Sequence, residues 1–201
     1  MRGVSVMASP WKHPVIWKEV EALMAIPSSI EEGFDDAVEL IYKSKGRVIC
    51  TGVGKSGHIA QKIAATMSST GTPAMFMHPT EAAHGDLGAL LKGDAVLMFS
   101  RSGRAVEMLA ICGHCKKHNI PIIMVSENNT DSLAGFAETI LQMPIVQEAW
   151  GHAPTTSTIL QMAIGDALAI TLAQKKGFTT EDFQGFHPGG ELGKQALNPN
   201  S

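Results

Sequence analysis

The sequence predicts an α/β protein, a three-layer α-β-α sandwich built on a five-stranded parallel sheet. Two observations carry this prediction. Five short apolar runs alternate along the chain with segments of helical periodicity. The runs are apolar throughout rather than at every second position, which is typical of strands that are covered on both faces. Because parallel strands need crossover connections, the alternation favours helices on both sides of one sheet.

Two helices are predicted ahead of the first strand. Apolar residues recur at helical spacing between Val15 and Met24, and a second helical segment opens with the candidate capping residues Ser28 and Ser29. The first strand is expected in 46–54, where GRVICTGVG is a β-branched run closed by glycines.

The remaining elements follow in alternation. Further strands are expected in 72–79, 94–103, 120–127 and 139–145. Helices are expected in 55–71, 104–118 and 155–177. We expect one domain over residues 1–201, with an ordered core over about 15–195.

Composition narrows the class of function. The chain has 201 residues, a formal net charge of −3 and 44% hydrophobic residues, which suits one α/β domain with a substantial core. A nearly balanced charge gives no basic surface for nucleic acid or for an anionic membrane. No apolar run approaches the roughly 20 residues of a spanning helix, and the N-terminus lacks a signal-peptide core. We therefore expect a cytoplasmic protein with no nucleic-acid or membrane partner.

The cysteines raise the question of a redox or zinc site. Cys112 and Cys115 have the C-x-x-C spacing, with His118 three residues further on. A redox motif normally opens a helix, where the helix N-terminus lowers a thiol pKa, whereas here about two helical turns are expected to precede the cysteines. Zinc would need two more ligands, and the sequence holds no second C-x-x-C. We expect neither function.

Two strand-helix junctions share a pattern that suits phosphate. TGVGKSGH (51–58) and FSRSGRAVE (99–107) each follow a strand, contain glycine and are expected to open a helix. Free backbone N–H groups and the helix dipole bind anions at such places, and serine hydroxyls add donors. The glycine spacing is too short for a P-loop, so nucleotide hydrolysis is not expected. The residues predicted to bind phosphate are Gly54, Ser56, Ser100, Ser102 and Gly103.

These junctions, with three longer stretches, resemble the sugar isomerase (SIS) domain of D-arabinose-5-phosphate isomerases. The resemblance covers about 15–195 and is carried by GVGKSGHIAQKIAATMSSTGTPAMFMHPTEAAHGDLGALLKGD, SRSGRAVE, APTTSTILQMAIGDALA and GFTTEDFQGFHPGGELGK. It implies a flavodoxin-like fold and interconversion of D-ribulose 5-phosphate with D-arabinose 5-phosphate. That reaction supplies 3-deoxy-D-manno-octulosonate (KDO) for lipopolysaccharide or capsule.

The resemblance also implies an assembly. SIS relatives are commonly homotetramers in which subunits share active-site residues. Most relatives of this branch carry paired CBS domains after the SIS domain, whereas this chain ends in KQALNPNS. We expect no CBS domains here and no regulation through them.

Moving a carbonyl between C1 and C2 of a sugar phosphate needs a base at carbon, a proton shuttle between oxygens and a cation that stabilises the enediolate. The family motifs imply that these tasks fall to Lys55, Glu107, Glu148, His187 and His84. We favour Glu148 as the carbon base, because a residue on an irregular segment after the fifth strand can lean over the sugar. Glu107, expected one turn into a helix, is the other candidate. His187 would open the ring, in its own or a neighbouring subunit's site, and Lys55 would stabilise the enediolate.

The stretch HPTEAAHGDLGAL contains two histidines, and a metal site is the competing interpretation. His78 and His84 are not at helical metal-ligand spacing, and the isomerases that the chain resembles are metal-independent. We therefore expect no metal and no cofactor. His78 is expected to shape the turn beside Pro79, and His84 to reach the sugar.

One departure from the family pattern concerns the second phosphate loop. Val106 stands where relatives offer a third hydroxyl, and Arg101 and Arg104 stand where they commonly have a polar and an acidic residue. The arginines could restore phosphate affinity by bidentate contact or could indicate a different sugar phosphate. Two alternatives to the pentose phosphate isomerase therefore stay open: a phosphosugar-binding regulatory module, and an isomerase of another phosphosugar.

Overall fold

Five parallel strands form one sheet in the computed structural model, which describes residues 14–189. The strands are β1 (Val48–Gly52), β2 (Ala74–Phe76), β3 (Ala95–Phe99), β4 (Ile122–Ser126) and β5 (Thr139–Gln142). Every residue of β1, β3 and β4 is buried, as expected for strands covered on both faces. The predicted strands and the parallel three-layer fold are confirmed. The predicted core residues 190–195 lie outside the described residues.

The strand order is β2-β1-β3-β4-β5, so the direction of winding reverses between β1 and β3. In sheets of this flavodoxin-like order, ligands bind at the carboxyl ends of the two strands that flank the reversal. The last residues of these strands, Gly52 and Phe99, are paired in register. The loops that follow β1 and β3 therefore begin at the same level, side by side.

The described part of the chain contains six α-helices. They are α1 (Pro14–Lys43), α2 (Gly54–Ser69), α3 (Pro79–Ala83), α4 (Leu109–His118), α5 (Thr156–Lys175) and α6 (Thr180–Phe186). The helices α1, α2 and α5 pack together with one face of the sheet, while α3 and α4 pack on the other face. Successive strand residues alternate between the two cores, as the period of two requires: Val96 and Met98 belong to the second core, Leu97 and Phe99 to the first.

The prediction of two N-terminal helices is wrong, because α1 continues through Pro27. Proline usually interrupts a helix, since it lacks an N–H and its ring clashes with the preceding turn. Here Ser28 and Ser29 do not cap a second helix. Their hydroxyls donate back to the carbonyl oxygens of Ala25 and Ile26, at 3.2 Å and 3.0 Å. These bonds stay within the helix around the proline.

The helix predicted over 104–118 also begins later than expected. A 3-10 turn at Val106–Met108 precedes α4, which starts only at Leu109. The loop ahead of it is held by the segment after β4: Glu127 N–H donates to the Arg101 carbonyl and Leu133 N–H to the Gly103 carbonyl. The Gly103 carbonyl oxygen, which would accept the first bond of a helix over 104–118, is therefore used in another contact. Cys112 consequently lies in the first turn of α4, not late in a helix.

One helix is apolar enough to resemble a membrane span, contrary to the expectation from sequence. By length and composition α5 could cross a membrane. Its buried residues, however, pack between α1 and α2 against the sheet. The core of the protein accounts for the apolar character of α5.

The contact between α2 and α5 generates a stability prediction. Gly165 of α5 lies over Ile63 of α2, and a Cβ atom at Gly165 would stand 2.5 Å from Cγ1 of Ile63. We expect Gly165→Ala to lower the free energy of unfolding by about 1–3 kcal/mol, because the buried Ile63 must move. The control is Gly113→Ala in α4, where a Cβ meets no atom within 4 Å and should stabilise by about 0.5–1 kcal/mol. Urea denaturation measures both variants, and equal effects would contradict the packing described here.

Candidate active site

The first part of the candidate site is the start of α2. Gly54 opens this helix with a positive φ of 59°, a conformation that glycine adopts without strain. No side chain caps the helix, since its N-cap residue Val53 makes no side-chain hydrogen bond. The first N–H groups of a 16-residue helix are therefore available at the carboxyl edge of the sheet, which suits an anion.

Two glycines hold α2 close to the end of β1. A Cβ atom on Gly57 would lie 2.6 Å from the carbonyl oxygen of Gly52, and a Cβ on Gly52 would lie 2.8 Å from the backbone of Ser56. Both distances are too short for any side chain. The absence of side chains at these positions therefore places the half-buried Ser56 beside the strand end.

The second part of the site is the loop after β3. Ser100 is buried, Ser102 is exposed, and Gly103 turns the chain with a φ of 70°. This loop lies directly beside the start of α2, because β1 and β3 are neighbours in the sheet. The expectation that both junctions open a helix is wrong for this one, because α4 begins only at Leu109. The favourable helix dipole comes from α2 alone.

Three candidate catalytic residues flank the two loops. Lys55 follows β1, His84 ends α3 after β2, and Glu107 lies in the 3-10 turn after β3. The strands that lead to them are adjacent, and α3 packs against the turn that holds Glu107. All three side chains belong to exposed residues, and none of them forms an ion pair with another residue in 14–189. They are accessible to a ligand at this edge.

Glu148 lies at the same edge but is buried, with 4% of its surface exposed. One carboxylate oxygen accepts hydrogen bonds from Arg101 Nη1 at 2.6 Å and from the Ser157 hydroxyl. The other accepts from the N–H groups of Thr155 and Ser157, at 2.8 Å and 3.2 Å, and from the Thr155 hydroxyl at 3.3 Å. The carboxylate thus occupies the N-terminus of α5.

The environment of Glu148 acts on its pKa in two directions. Burial raises the pKa, whereas the Ser157 hydroxyl, the two N–H groups and the Arg101 guanidinium lower it, and the net result is a lowered pKa. Glu148 is therefore ionised and fully hydrogen-bonded. The sequence led us to expect a Glu148 side chain that is free to reach over the sugar. The structure instead shows a carboxylate held by hydrogen bonds to Arg101, Thr155 and Ser157.

The two arginines of the loop after β3 form ion pairs with carboxylates of the protein. Arg101 binds Glu127 and Glu148, and Arg104 binds Asp131 at 2.6 Å. Their guanidinium groups are therefore engaged by carboxylates of the protein. The hypothesis that they restore phosphate affinity by bidentate contact is not supported by these contacts.

His187 lies on a segment that is anchored at a different part of the molecule from the other candidates. It follows α6, and its ring stacks on Phe183 with centroids 4.0 Å apart. The helix α6 is held by Phe178, whose ring contacts both Phe186 and Gly71. Gly71 lies just beyond the end of α2, at the edge of the sheet opposite to Lys55. The helix α5, about 30 Å long, separates the two edges.

His78, Cys112 and Cys115 have structural roles. His78 caps α3, its Nδ1 accepting the N–H of Thr80 at 3.3 Å, which confirms the expected turn beside Pro79. Burial raises the pKa of Cys112 to about 11 and that of Cys115 to about 12, so neither thiol forms a reactive thiolate near neutral pH. Within residues 14–189, no three His, Cys, Asp or Glu side chains are grouped to hold a metal ion.

Sequence reasoning missed the polar groups that surround Glu148. Glu127, Thr155 and Ser157 were not singled out, and Arg101 was noted only as a departure from the family pattern. A signal was available in APTTST, since hydroxyl residues at the start of a helix, next to a preceding carboxylate, are typical of a helix N-terminus.

Comparison with known proteins gives consistent matches over most of the chain. A sequence model of the SIS domain matches residues 40–171. Arabinose 5-phosphate isomerase KdsD of Pseudomonas aeruginosa is 45% identical over 181 residues, which cover 89% of this chain and 56% of that protein. KdsD of Escherichia coli K12 is 43% identical over 181 residues, covering 89% and 55%. The chain thus spans about half the length of these curated relatives.

A solved structure covers almost the same region. The c3406 protein of E. coli CFT073, solved in complex with arabinose 5-phosphate, superposes with a TM-score of 0.83 and 38% sequence identity. The match covers 87% of this chain and 94% of that chain.

The contacts of Glu148 generate a pH-dependent stability prediction. Its folded-state pKa is lowered below that of an unfolded chain, about 4.3, so its stabilising effect is present above that pH and is lost as the pH falls through the folded-state pKa. We expect Glu148→Gln to lower the free energy of unfolding by about 1.5–3 kcal/mol at pH 7. The difference from the wild type should shrink below about pH 4. Urea denaturation as a function of pH tests this, and a pH-independent difference would contradict it.

Proposed function

The chain belongs to the SIS domain family, and from that membership we propose that it is an aldose-ketose isomerase that interconverts D-ribulose 5-phosphate and D-arabinose 5-phosphate. The observation that carries the proposal is the pairing of two anion-binding loops at the reversal of strand order. The two loops begin at paired residues of β1 and β3. A second support is that the chain is 38% identical to a protein solved in complex with arabinose 5-phosphate. A phosphate between the loops would be bound by the N–H groups at the start of α2 and by the serine hydroxyls.

The proposed mechanism proceeds through an enediolate. With the phosphate held by Gly54, Ser56, Ser100, Ser102 and Gly103, the sugar extends toward the candidate catalytic residues. A carboxylate removes the proton at C2 of the aldose, or at C1 of the ketose, and returns it to the neighbouring carbon. Lys55 stabilises the negative charge on the oxygen, and His84 moves protons between O1 and O2.

We retain Glu148 as the carbon base, with Glu107 as the competing candidate. Glu148 is ionised, which a base requires, but it must release one of its hydrogen bonds to accept a proton. Glu107 is exposed and needs no such release. The two carboxylates therefore differ in accessibility and in environment, and kinetics can separate them.

We propose that His187 acts in the site of a neighbouring subunit, in a homotetramer that shares sites. The contact of Phe178 with Phe186 and with Gly71, at the edge of the sheet opposite to Lys55, supports this proposal. In this proposal the enzyme acts in the cytoplasm and supplies KDO for lipopolysaccharide or capsule. The predicted absence of CBS domains stays a prediction.

To test the proposed activity directly, the purified protein is incubated with D-arabinose 5-phosphate, D-ribulose 5-phosphate and a panel of hexose and hexulose phosphates. Interconversion is followed by ¹³C NMR. Conversion of the pentose pair supports the proposal. If only another phosphosugar is converted, that phosphosugar is the substrate and the pentose assignment is wrong. Binding without any conversion would favour the regulatory module.

The phosphate loops generate a prediction about substrate binding. We expect Ser102→Ala to raise KM about 10- to 100-fold, because a hydrogen bond to a charged group contributes about 1.5–3 kcal/mol. Ser28→Ala, an exposed serine on α1, serves as the control and should leave KM unchanged. Steady-state kinetics measures both variants. An unchanged KM in Ser102→Ala would reject this serine as a phosphate ligand.

The two carboxylates generate a prediction about proton transfer. If Glu148 is the base, Glu148→Gln lowers kcat about 10²–10⁴-fold, with a smaller effect on KM. Exchange of solvent deuterium into the substrate carbon should fall in parallel. Circular dichroism at the assay temperature verifies that the variant is folded. If Glu148→Gln keeps the exchange and Glu107→Gln abolishes it, the two roles are reversed.

A further inference from the structure

Arg101 connects three strand ends at the carboxyl edge of the sheet. It lies two residues after the end of β3, and its Nε donates to Glu127 after β4 at 3.0 Å. Its Nη1 donates to Glu148, and its Nη2 donates to the Val146 carbonyl oxygen at 2.7 Å, both on the segment after β5. A planar guanidinium with five donors can satisfy three acceptors at fixed angles, which a lysine ammonium cannot reproduce.

The Glu148 carboxylate has one link to the phosphate loop among the described residues, and that link is Arg101. The other groups that bind it, from Thr155 and Ser157, belong to the start of α5. Arg101 is thus the direct hydrogen-bond contact between the loop that holds Ser100 and Ser102 and the Glu148 carboxylate. The partly exposed guanidinium lies between a buried carboxylate and solvent.

Arg101 also balances charge at the edge. Glu127 and Glu148 both contact its guanidinium, so without it two carboxylates would lie next to a loop that is proposed to bind a phosphate dianion. Like charges that share one guanidinium would repel each other if the guanidinium were removed, and the repulsion is larger where the groups are partly buried. Under the proposed function, Arg101 therefore offsets the charge of both carboxylates beside an anionic substrate.

We propose that Arg101 is a positioning residue for the isomerase, fixing the Glu148 carboxylate relative to the phosphate loop. This inference rests on the proposed function. It gives the departure from the family pattern a role other than phosphate binding. The guanidinium also contributes to the lowered pKa of Glu148, after the Ser157 hydroxyl and the N–H groups of Thr155 and Ser157.

Arg104 provides a matched comparison on the same loop. It pairs with Asp131 at 2.6 Å, its side chain is 69% exposed, and it contacts neither Glu127 nor Glu148. Arg104→Gln removes the same charge from the same loop but leaves the Glu148 contacts in place. A general effect of loop charge would appear in both variants, whereas positioning of Glu148 would appear in Arg101→Gln alone.

The kinetic test follows kcat and kcat/KM against pH for the wild type, Arg101→Gln, Arg101→Lys and Arg104→Gln. We expect Arg101→Gln to lower kcat about 10- to 100-fold, as for a misplaced catalytic group. The acid limb of its profile should move to higher pH, because loss of the guanidinium favours the protonated carboxylate. Arg101→Lys keeps the charge but not the three fixed contacts, so kcat should fall while the acid limb moves less. Arg104→Gln should keep the wild-type limb.

A second test needs no turnover. The side-chain carboxyl carbons of ¹³C-labelled glutamate are titrated by NMR, and Glu148→Gln identifies the Glu148 signal by its loss. We expect this signal to titrate at higher pH in Arg101→Gln than in the wild type or in Arg104→Gln. An unchanged Glu148 titration in a folded Arg101→Gln variant would overturn the inference. An inactive wild type with the expected titration change would instead reject the proposed function and leave the Arg101 contact established.

Discussion

The site depends on one constraint of the sheet, the register between β1 and β3. Gly52 and Phe99 end their strands side by side, at the point where the strand order reverses. The chain leaves β1 into α2 on one face of the sheet and leaves β3 toward α4 on the other, so the two connections diverge from neighbouring strand ends. In the proposed function, an anion between the two loops is bound by N–H groups at the start of α2 and by serine hydroxyls.

The strand order also explains where the polar network of Arg101, Glu127 and Glu148 lies. Strands β3, β4 and β5 end next to each other, so the residues that follow them, Arg101, Glu127 and Glu148, are neighbours in space although far apart in sequence. Burial of Glu148 would be unfavourable for a bare carboxylate. Its charge is stabilised by the N-terminus of α5 and by Arg101, and the result is a carboxylate held by hydrogen bonds beside the loop after β3.

Much of the fold and part of the site could be predicted from the sequence. The features that could be predicted depend on local composition, and those that could not depend on contacts between distant residues. Uninterrupted apolar runs predict buried parallel strands because local composition determines which strands are covered on both faces. Local composition also identified Ser56, Ser100 and Ser102 at strand ends. It failed at Pro27, where serine side chains bond within a continuous helix instead of capping a new one. It failed again at 104–108, where contacts from the segment after β4 delay the helix. The partners of Arg101 and the far position of His187 depend on long-range packing, which one sequence without its fold does not contain.

The most direct test of the central claim is a crystal structure of this protein with D-arabinose 5-phosphate. We predict the phosphate between the start of α2 and the loop after β3, within hydrogen-bond distance of Ser56, Ser100 or Ser102. The sugar should extend toward Lys55 and Glu148. A phosphate bound elsewhere, with the space between these loops occupied only by solvent, would contradict this claim.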